Sequence, residues 1–390
     1  MMYAFLTDFR KLAAAALVAT LAGCVTVPGL SGGGATGPQV DRSQPVPVAL
    51  LIPRSDAGAA PVAASLEKAA RLAAGSIDGA QIDLRVYDTA GTPAGANSAA
   101  TRALGEGAQI IVGPLYSQSI SAITPVVTGQ NINVLSFSNN TAVAGGNVFV
   151  LGQTFDNIAS RLTTFAKRQG RSSVAIVHSE DVSGVAGRDA IARAASAAGL
   201  PVATVQSYPL SQQGITTAGP RIAEAVRASG ASSVFLTANV DSDLPLIATA
   251  LPDNGVSPAQ VQYLGLTRWS AVPQALQLPG LQGGLFALPD QNAAGAFQSR
   301  YQAAYGEMPH PLAGLAFDAV QAVGSLVASG RRDALSARAL TQTSGFRGAY
   351  GPFRLLPNGT NQRALAVAQV QNGQVVVLDT APNGFGRAGF

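Results

Sequence analysis

Val48-Ala49-Leu50-Leu51-Ile52, an apolar run closed by Pro53, is the stretch that decides the fold class of this chain. Continuous apolar runs of this kind are typical of strands that are covered on both faces in a parallel sheet. Similar runs recur at Ile110-Ile111-Val112, Val134-Leu135, Val174-Ala175-Ile176-Val177 and Val234-Phe235-Leu236. The repetition predicts a series of buried parallel strands.

Helical patterns separate these apolar runs. Amphipathic or alanine-rich stretches precede the later runs, and several of them end in a glycine that stops a helix, at Gly107, Gly170, Gly199 and Gly230. Further helices are predicted from Asp156 to Gln169, from Asp290 to Tyr305 and around Ala316, Val320, Val323 and Val327. Strands that alternate with helices over this length predict an α/β fold in which parallel sheets are flanked by helices.

The composition indicates a globular protein with two domains or lobes. Of the 390 residues, 47% are hydrophobic and 12% are charged, and the formal net charge is +4. Lysine occurs only at Lys11, Lys68 and Lys167, the arginines are scattered, and no basic run appears, so we expect no nucleic-acid partner. The single cysteine excludes an intrachain disulfide.

The N-terminus has the pattern of a bacterial lipoprotein signal. Arg10 and Lys11 precede an apolar segment, Leu12 to Ala22. That segment is shorter than the roughly 20 residues that a membrane-spanning helix needs. Leu21-Ala22-Gly23-Cys24 then places small residues before the only cysteine. We expect residues 1–23 to be a cleaved signal peptide.

Cys24 resembles the lipobox cysteines that become acylated and form the first residue of the mature protein. We therefore expect a lipid anchor at Cys24; the alternative is an ordinary secreted protein. Val25 stands where an aspartate would retain an enterobacterial lipoprotein in the inner membrane, which favours the outer membrane. Residues 24–45 are rich in glycine, serine and proline and are predicted to be a flexible tether to a periplasmic domain that begins at Val46.

Motifs for catalysis or metal binding are missing from the sequence. The chain has two histidines, with neither an HExxH motif nor a histidine pair at metal-binding spacing. No G-x-S-x-G motif lies at a predicted strand-to-helix junction. We predict a protein that is not an enzyme and that uses no metal or other cofactor.

Two predicted strand-to-helix turns carry the strongest candidate ligand contacts. They are Leu115-Tyr116-Ser117 and Ser136-Phe137-Ser138-Asn139-Asn140. Ligands of open α/β sheets bind at the carboxyl ends of strands, and hydroxyls, amides and a helix N-terminus together favour a carboxylate or another anion. The alternative is that Ser117, Asn139 or Asn140 only caps a helix.

Several stretches resemble the type I periplasmic binding proteins, specifically the Leu/Ile/Val-binding class. They are Val48 to Pro53, Val86 to Pro93, Ile110 to Leu115, Leu135 to Asn139, Phe297, Tyr301, Tyr305-Gly306, Pro309, Phe317-Asp318-Ala319-Val320 and Gly348 to Gly359. The resemblance implies a clamshell of two α/β lobes joined by three crossovers. We expect lobe 1 at residues 46–153 and 285–342, lobe 2 at 154–284 and 343–380, and a tail at 381–390.

A narrower resemblance points to one group within this class. Ser136 to Asn139, Phe149 to Gly152 and Leu264-Gly265 with Trp269 are similar to the lipoprotein activators of penicillin-binding proteins. The helical-repeat N-terminal domain of the enterobacterial activators has no counterpart here. The likeness implies a peptidoglycan synthase as partner.

The second lobe departs from the amino-acid binders of the class, which hold the ammonium group and the side chain of the ligand with tyrosines and an acid. The corresponding turns here contain no tyrosine and offer Asp181 and Asn239 instead. Asp181 could serve an ammonium group, and Trp269 could form a wall of the cleft, with a place in the core as its alternative. A leucine-type ligand is not supported by these residues.

Two functions follow as hypotheses. The first is an outer-membrane-anchored regulator that activates peptidoglycan synthases, with a small ligand in the cleft. The alternative is a solute receptor that binds an amino acid or a related small molecule for an ABC importer. The membrane contact is expected through the lipid anchor only.

Overall fold

The computed structural model describes residues 37–41 and 43–385. The predicted signal peptide, Cys24, most of the predicted tether and residues 386–390 of the tail lie outside these residues. Within them, no helix has both the length and the apolar character that crossing a membrane requires.

The first sheet has five parallel strands in the order β2-β1-β3-β4-β5. Its second strand, β1, pairs with a neighbour on each side and contains the apolar run from Val48 to Ile52, which is completely buried. This confirms the prediction of a strand covered on both faces. The strands are β1 (Val46–Ile52), β2 (Ile82–Asp88), β3 (Ile110–Val112), β4 (Val134–Ser136) and β5 (Val148–Val150), with helices α1 (Ala60–Ala74), α2 (Pro93–Gly105) and α3 (Ser117–Gly129) between them.

The second sheet has seven strands in the order β15-β14-β10-β9-β8-β6-β7. Five of them are parallel, whereas β14 is antiparallel to β10 and β15 is antiparallel to β14, so the sheet is mixed. The strands are β6 (Val174–Ser179), β7 (Val202–Tyr208), β8 (Ser233–Leu236), β9 (Gln262–Gly265), β10 (Leu285–Pro289), β14 (Leu365–Gln371) and β15 (Gln374–Asp379). The helices among them are α4 (Phe155–Arg168), α5 (Val182–Ala197), α6 (Gln212–Ala228) and α7 (Leu244–Asp253).

The chain returns to the first lobe with three helices and a small antiparallel sheet. They are α8 (Gln291–Tyr305), α9 (Ala313–Ala328), α10 (Ala337–Leu340), β11 (Phe346–Gly348), β12 (Gly351–Leu355) and β13 (Asn361–Arg363). Helix α9 is apolar on nearly every face and packs in the same core as α1 and β1. The predicted helix from Asp290 to Tyr305 is confirmed, because Asp290 caps α8.

The chain crosses between the two lobes three times, after β5, after β10 and after β13, as the clamshell prediction requires. Two of the predicted boundaries are displaced. The boundary at residue 285 assigned β10 to lobe 1, but this apolar strand pairs on both sides within the second sheet. The boundary at residue 343 assigned β11 and β12 to lobe 2, but Phe346, Phe353 and Leu355 are buried in the core of lobe 1.

The ends of the folded region also differ from the prediction. Folded structure begins before Val46, because Val40 is buried in the core of lobe 1 and its N–H donates to the Arg332 carbonyl at 2.9 Å. The predicted tether therefore ends earlier than residue 45. At the other end, Ala381 is buried in the second lobe and the Phe385 ring lies 4.8 Å from the Arg354 guanidinium. The first part of the predicted tail is thus attached to the body.

Two side chains of β13 fasten the first crossover to the third. Asn361 donates to the carbonyls of Val150 and Gly152 at 2.8 and 2.9 Å. Arg363 donates to the Leu151 carbonyl and to the Asp318 carboxylate, both at 2.9 Å. These bonds are buried, so the path of the chain between the lobes is fixed by interactions that solvent does not weaken.

Candidate ligand-binding cleft

A cavity of about 990 Å³ lies between the carboxyl end of the first sheet and the second lobe. Its volume is at the upper end of the range of small-molecule sites, roughly 300–1,000 Å³. The first lobe contributes the two predicted turns and parts of α8 and α9, and the second lobe contributes residues after β9 and along β10 and β14. The lining residues are Leu115, Tyr116, Ser117, Phe137, Ser138, Asn139, Gly152, Gln153, Arg268, Ser270, Leu288, Pro289, Gln291, Ala294, Gln298, Pro309, Pro311, Leu312, Leu315, Tyr350, Arg363, Leu365 and Val375.

The turn after β3 brings the start of α3 to this cavity. Gly113 has φ +93°, and a β-carbon there would meet the Leu51 carbonyl oxygen at 2.2 Å, so glycine is required. Helix α3 begins at Ser117, and no side chain caps it. The N–H groups of Ser117 and Gln118 have no partner among the described residues, so they and the positive end of the helix dipole are available to an anion in the cleft.

The turn after β4 is ordered by its serines. Ser136 is buried, and its hydroxyl accepts the Ser138 N–H at 3.0 Å and lies 3.4 Å from the Pro114 carbonyl. The Ser138 hydroxyl lies 3.1 Å from that of Ser117 and accepts the Asn140 N–H at 3.0 Å. The two turns thus present Ser117 and Ser138 side by side at the cleft.

Ser136 and Asn140, which were also predicted to contact the ligand, do not line the cavity. Ser136 is used inside the turn, where it supports Ser138. Asn140 is exposed and caps a short 3-10 turn by accepting the Ala142 N–H at 2.9 Å. Capping was the alternative given for Asn140, and the structure favours it.

The charged side chains that line the cleft are both arginines. Arg268 is exposed, and no hydrogen bond or ion pair engages its guanidinium within the described residues. Arg363 is buried and paired with Asp318, but its Nη2 has no partner. No aspartate or glutamate stands among the described lining residues. Because Asp318 compensates Arg363, the uncompensated charge among the described lining residues is the positive charge of Arg268.

Apolar side chains from both lobes form the remaining walls, including Leu115, Phe137, Leu288 and Leu315. Tyr350 adds an aromatic face, and its hydroxyl donates to the Pro311 carbonyl at 2.6 Å. Burial raises the pKa of the Tyr350 phenol to about 12, so its hydroxyl is protonated and uncharged near pH 7. The cleft therefore combines an apolar interior with a few polar groups, as small-molecule sites commonly do.

The two polar residues predicted from the second lobe lie away from the cavity and already have partners. Asp181 caps α5 by accepting the N–H groups of Ser183 and Gly184 at 3.1 and 3.2 Å. The Ser179 hydroxyl also donates to this carboxylate. Asn239 is exposed, and its side-chain oxygen accepts the Asp241 N–H at 3.3 Å. Neither residue lines the described cavity.

Trp269 does not form a wall of the cleft. Its side chain is completely buried in the core of the second lobe, with its ring 5.8 Å from that of Phe286. Gly265 and Gly284 leave room for it, since a β-carbon at either position would lie within 2.6 Å of the indole. The alternative prediction, a place in the core, describes this residue.

The residues on either side of Trp269 line the cleft in its place. Arg268 and Ser270 line the cleft, and they follow β9 at the carboxyl end of the second sheet. The rule that ligands bind at this edge would have found Arg268 if it had been applied to the strand ending at Gly265. Gln298 and Tyr350 carry no comparable local signal, because they come from α8 and from the segment between β11 and β12.

No group of three or more histidine, cysteine, aspartate or glutamate side chains in the part of the chain that the structure describes is arranged to hold a metal ion.

Comparisons with known proteins place the chain in a family. A model of the periplasmic binding protein family matches residues 45–374. A branched-chain amino acid ABC transporter periplasmic ligand-binding protein from Burkholderia xenovorans has a similar structure, with a TM-score of 0.66, 18% identity, and coverage of 87% of this chain and 96% of that one.

Two further similar structures contain ligands. One is the solute-binding protein of an ABC transporter from R. palustris in complex with benzoate, with a TM-score of 0.57, 19% identity, and coverage of 87% of this chain and 97% of that one. The other is an ABC transporter substrate-binding protein from Desulfitobacterium hafniense in complex with Leu, with a TM-score of 0.60, 16% identity, and coverage of 86% and 100%. No curated protein sequence is a significant match. Because the family model spans most of the sequence and the fold agrees, this chain belongs to the periplasmic binding protein family.

Proposed function

We propose that this protein is a solute-binding protein that captures a small organic anion with an apolar or aromatic body and delivers it to an ABC importer. One observation carries the proposal. The unpaired guanidinium of Arg268 and the uncapped start of α3 line the same cavity, and no described acidic residue lines it. The family to which the chain belongs supports a binding role without catalysis.

The polar groups of the cleft suit a carboxylate. Guanidinium groups bind carboxylates through two parallel hydrogen bonds, and a helix N-terminus adds N–H donors and a favourable dipole. Ser117 and Ser138 add hydroxyls beside that helix start. The apolar walls around Leu115, Phe137 and Leu288 would then cover the body of the ligand.

The same residues argue against an amino acid. An α-ammonium group in a closed cleft needs an acceptor, preferably a carboxylate, because an unpaired buried charge is costly. The cleft offers it no described acid, and Asp181 is engaged in capping α5. Similar structures hold both kinds of ligand, benzoate in the R. palustris protein and Leu in the Desulfitobacterium protein. The charges of this cleft favour a carboxylate without an ammonium group, as in benzoate.

Calorimetric titration of the purified protein with benzoate, benzylamine and leucine tests this proposal. Benzoate should bind more tightly than the other two. Arg268→Gln should weaken benzoate binding about tenfold or more, since it removes a charge-assisted contact. Arg188→Gln is the matched control, because Arg188 is a surface arginine that pairs with Asp189 away from the cleft. Equal affinity for benzylamine, or an unchanged affinity in Arg268→Gln, would contradict the proposal.

The regulator hypothesis is the second candidate, and one observation favours it. Strand β15 is an edge strand whose side chains Val376, Val377 and Leu378 are exposed. Exposed apolar edges are surfaces at which other proteins can dock. A photo-crosslinking residue at position 377 in intact cells, followed by mass spectrometry, separates the candidates. Capture of a peptidoglycan synthase would favour the regulator, and capture of importer membrane subunits would favour the solute-binding protein.

The cellular location and the membrane anchor of the protein are also proposals. The family indicates the periplasm, and we propose anchoring through a lipid on Cys24, in the outer membrane because of Val25. Metabolic labelling with a radioactive fatty acid should label the wild type and should not label the variant Cys24→Ser. A wild type that takes up no label excludes the lipid anchor.

A further inference from the structure

A second cavity, of about 570 Å³, lies beside the first and third crossovers. We call it the crossover pocket. One side is formed by α4 and α5 of the second lobe, and the other by the first lobe at Thr141 and along the segment from the end of β12 to β13. Its lining residues are Thr141, Thr154, Asp156, Asn157, Ser160, Arg161, Thr164, Arg168, Arg193, Ala194, Ala197, Leu356, Asn358, Thr360, Asn361, Gln362, Arg363 and Pro382.

Four arginines line this pocket, and their ion pairs leave a positive charge uncompensated. Arg161 and Arg168 share a single carboxylate, that of Asp379. Arg193 pairs with Asp156 at 2.9 Å, and Arg363 pairs with Asp318 at 2.9 Å. Four guanidinium groups therefore face three carboxylates among the described lining residues and their ion-pair partners. Since each guanidinium has five N–H donors, these pairs leave donors for a further acceptor.

Two residues that line the pocket each carry a buried polar atom without a hydrogen-bond partner in the described residues. Asn361 and Arg363 are at least nine-tenths buried, and Asn361 Oδ1 and Arg363 Nη2 have no partner in the described residues. Buried polar atoms are rarely left in this state. The hydroxyls of Ser160, Thr164 and Thr360 stand in the same lining. Most lining residues of the pocket are therefore polar, and its apolar members are Ala194, Ala197, Leu356 and Pro382.

We propose that the crossover pocket is a second binding site, which takes a small molecule carrying one carboxylate or phosphate group. The anionic group would be held by Arg168 and Arg193, with the pocket hydroxyls as further donors. The occupant would contact α4 and α5 on one side and the segment 356–362 on the other, and would therefore touch both lobes. This proposal goes beyond the function of the cleft, with which the pocket shares only Arg363 among the described lining residues.

Calorimetric titrations at low ionic strength with inorganic phosphate and with acetate test the proposal, because each probe carries one of the two anionic groups. At least one should bind with a dissociation constant of about 1 mM or tighter. The variant Arg168→Gln/Arg193→Gln should weaken that binding about tenfold or more. Both side chains are more than half exposed, so their replacement leaves the core intact.

Two control variants make the outcome specific. Arg188→Gln/Arg331→Gln removes the same charge at surface arginines that also pair with aspartates, Asp189 and Asp333, and should leave the binding unchanged. Arg268→Gln removes the cleft arginine that has no ion-pair partner among the described residues, and it should also leave phosphate and acetate binding unchanged. The proposal is overturned if neither probe binds to the wild type, if the surface pair weakens binding as much as the pocket pair, or if Arg268→Gln abolishes it. Benzoate binding in the cleft is scored separately, so either proposal can fail alone.

Discussion

The turns of the first sheet and the turns of the second sheet follow the same pattern in the sequence but play different parts in the structure. In both lobes a buried strand ends and polar residues follow before a helix. In the first lobe, Ser117, Ser138 and Asn139 reach the cleft. In the second lobe, Asp181 and Asn239 do not. One difference lies in whether a side chain already caps the helix that follows the turn.

Helix starts illustrate this difference. Helix α5 begins with Asp181, whose carboxylate accepts two backbone N–H groups, so its first turn is satisfied within the protein. Helix α3 begins after Tyr116, whose side chain makes no capping hydrogen bond, so the N–H groups of Ser117 and Gln118 keep no partner among the described residues. A capped helix start is a structural element, whereas an uncapped one beside a cavity is available to a ligand.

The largest expected effect separates a core residue from a cleft residue. Trp269→Ala should lower the free energy of unfolding by about 3–5 kcal/mol, as removal of a fully buried large aromatic side chain usually does. The affinity of the folded protein for benzoate should change less than about twofold, a difference of under 0.5 kcal/mol. Urea unfolding and calorimetry at a temperature where the variant is folded measure the two quantities.

Trp269→Phe is the control, because it keeps an aromatic ring against Phe286 and should cost less stability than the alanine variant. A strong loss of benzoate affinity together with a small loss of stability would reverse the assignment. Trp269 would then belong to the cleft, and the second lobe would contribute one of its predicted residues to the site.

Much of the fold could be predicted because it depends on local patterns. The run from Val48 to Ile52 and the later apolar runs form buried strands, and Asp290 caps the helix that was predicted to start there. Local patterns could not predict that β10 belongs to the second sheet. They also could not predict that β14 and β15 extend that sheet in the antiparallel direction. An apolar strand fits either sheet, and which sheet receives it depends on pairing between distant segments.

The site was predictable only where a single stretch of sequence supplies several of its residues. Leu115 to Ser117 and Phe137 to Asn139 all line the cleft, because each group follows a strand that ends there. Arg268, Gln298 and Tyr350 come from separate segments, and they meet only after the lobes are assembled. Trp269 was misplaced by one residue, since burial and exposure alternate between Arg268, Trp269 and Ser270.

A medium effect is expected from the residue that supports the first-lobe turn. Ser136→Ala removes the acceptor of the Ser138 N–H and should lower the free energy of unfolding by about 1–3 kcal/mol, because a buried donor is left without a partner. The benzoate affinity should also fall, since Ser138 loses its support. Ser136→Thr is the control, because it retains the hydroxyl. Full benzoate affinity in the alanine variant would show that the turn does not need this bond.

The smallest expected effect concerns the corresponding residue of the second lobe. Asp181→Ala should lower the free energy of unfolding by about 1 kcal/mol, the usual cost of losing a helix cap, and should leave benzoate affinity unchanged.

The Ser179 hydroxyl and the N–H groups of Gly184 and Ser183 hold the pKa of Asp181 below its usual range, although partial burial opposes them. Because the folded-state pKa is lowered, the charged form stabilises the fold above the unfolded pKa, and this contribution is lost as the pH falls through the folded value. The stability difference between wild type and alanine variant should therefore shrink below about pH 4. Asp181→Asn keeps an acceptor for the cap and should cost less at neutral pH. A loss of benzoate binding in both variants, with stability unchanged, would make Asp181 a ligand contact and remove the difference between the two lobes.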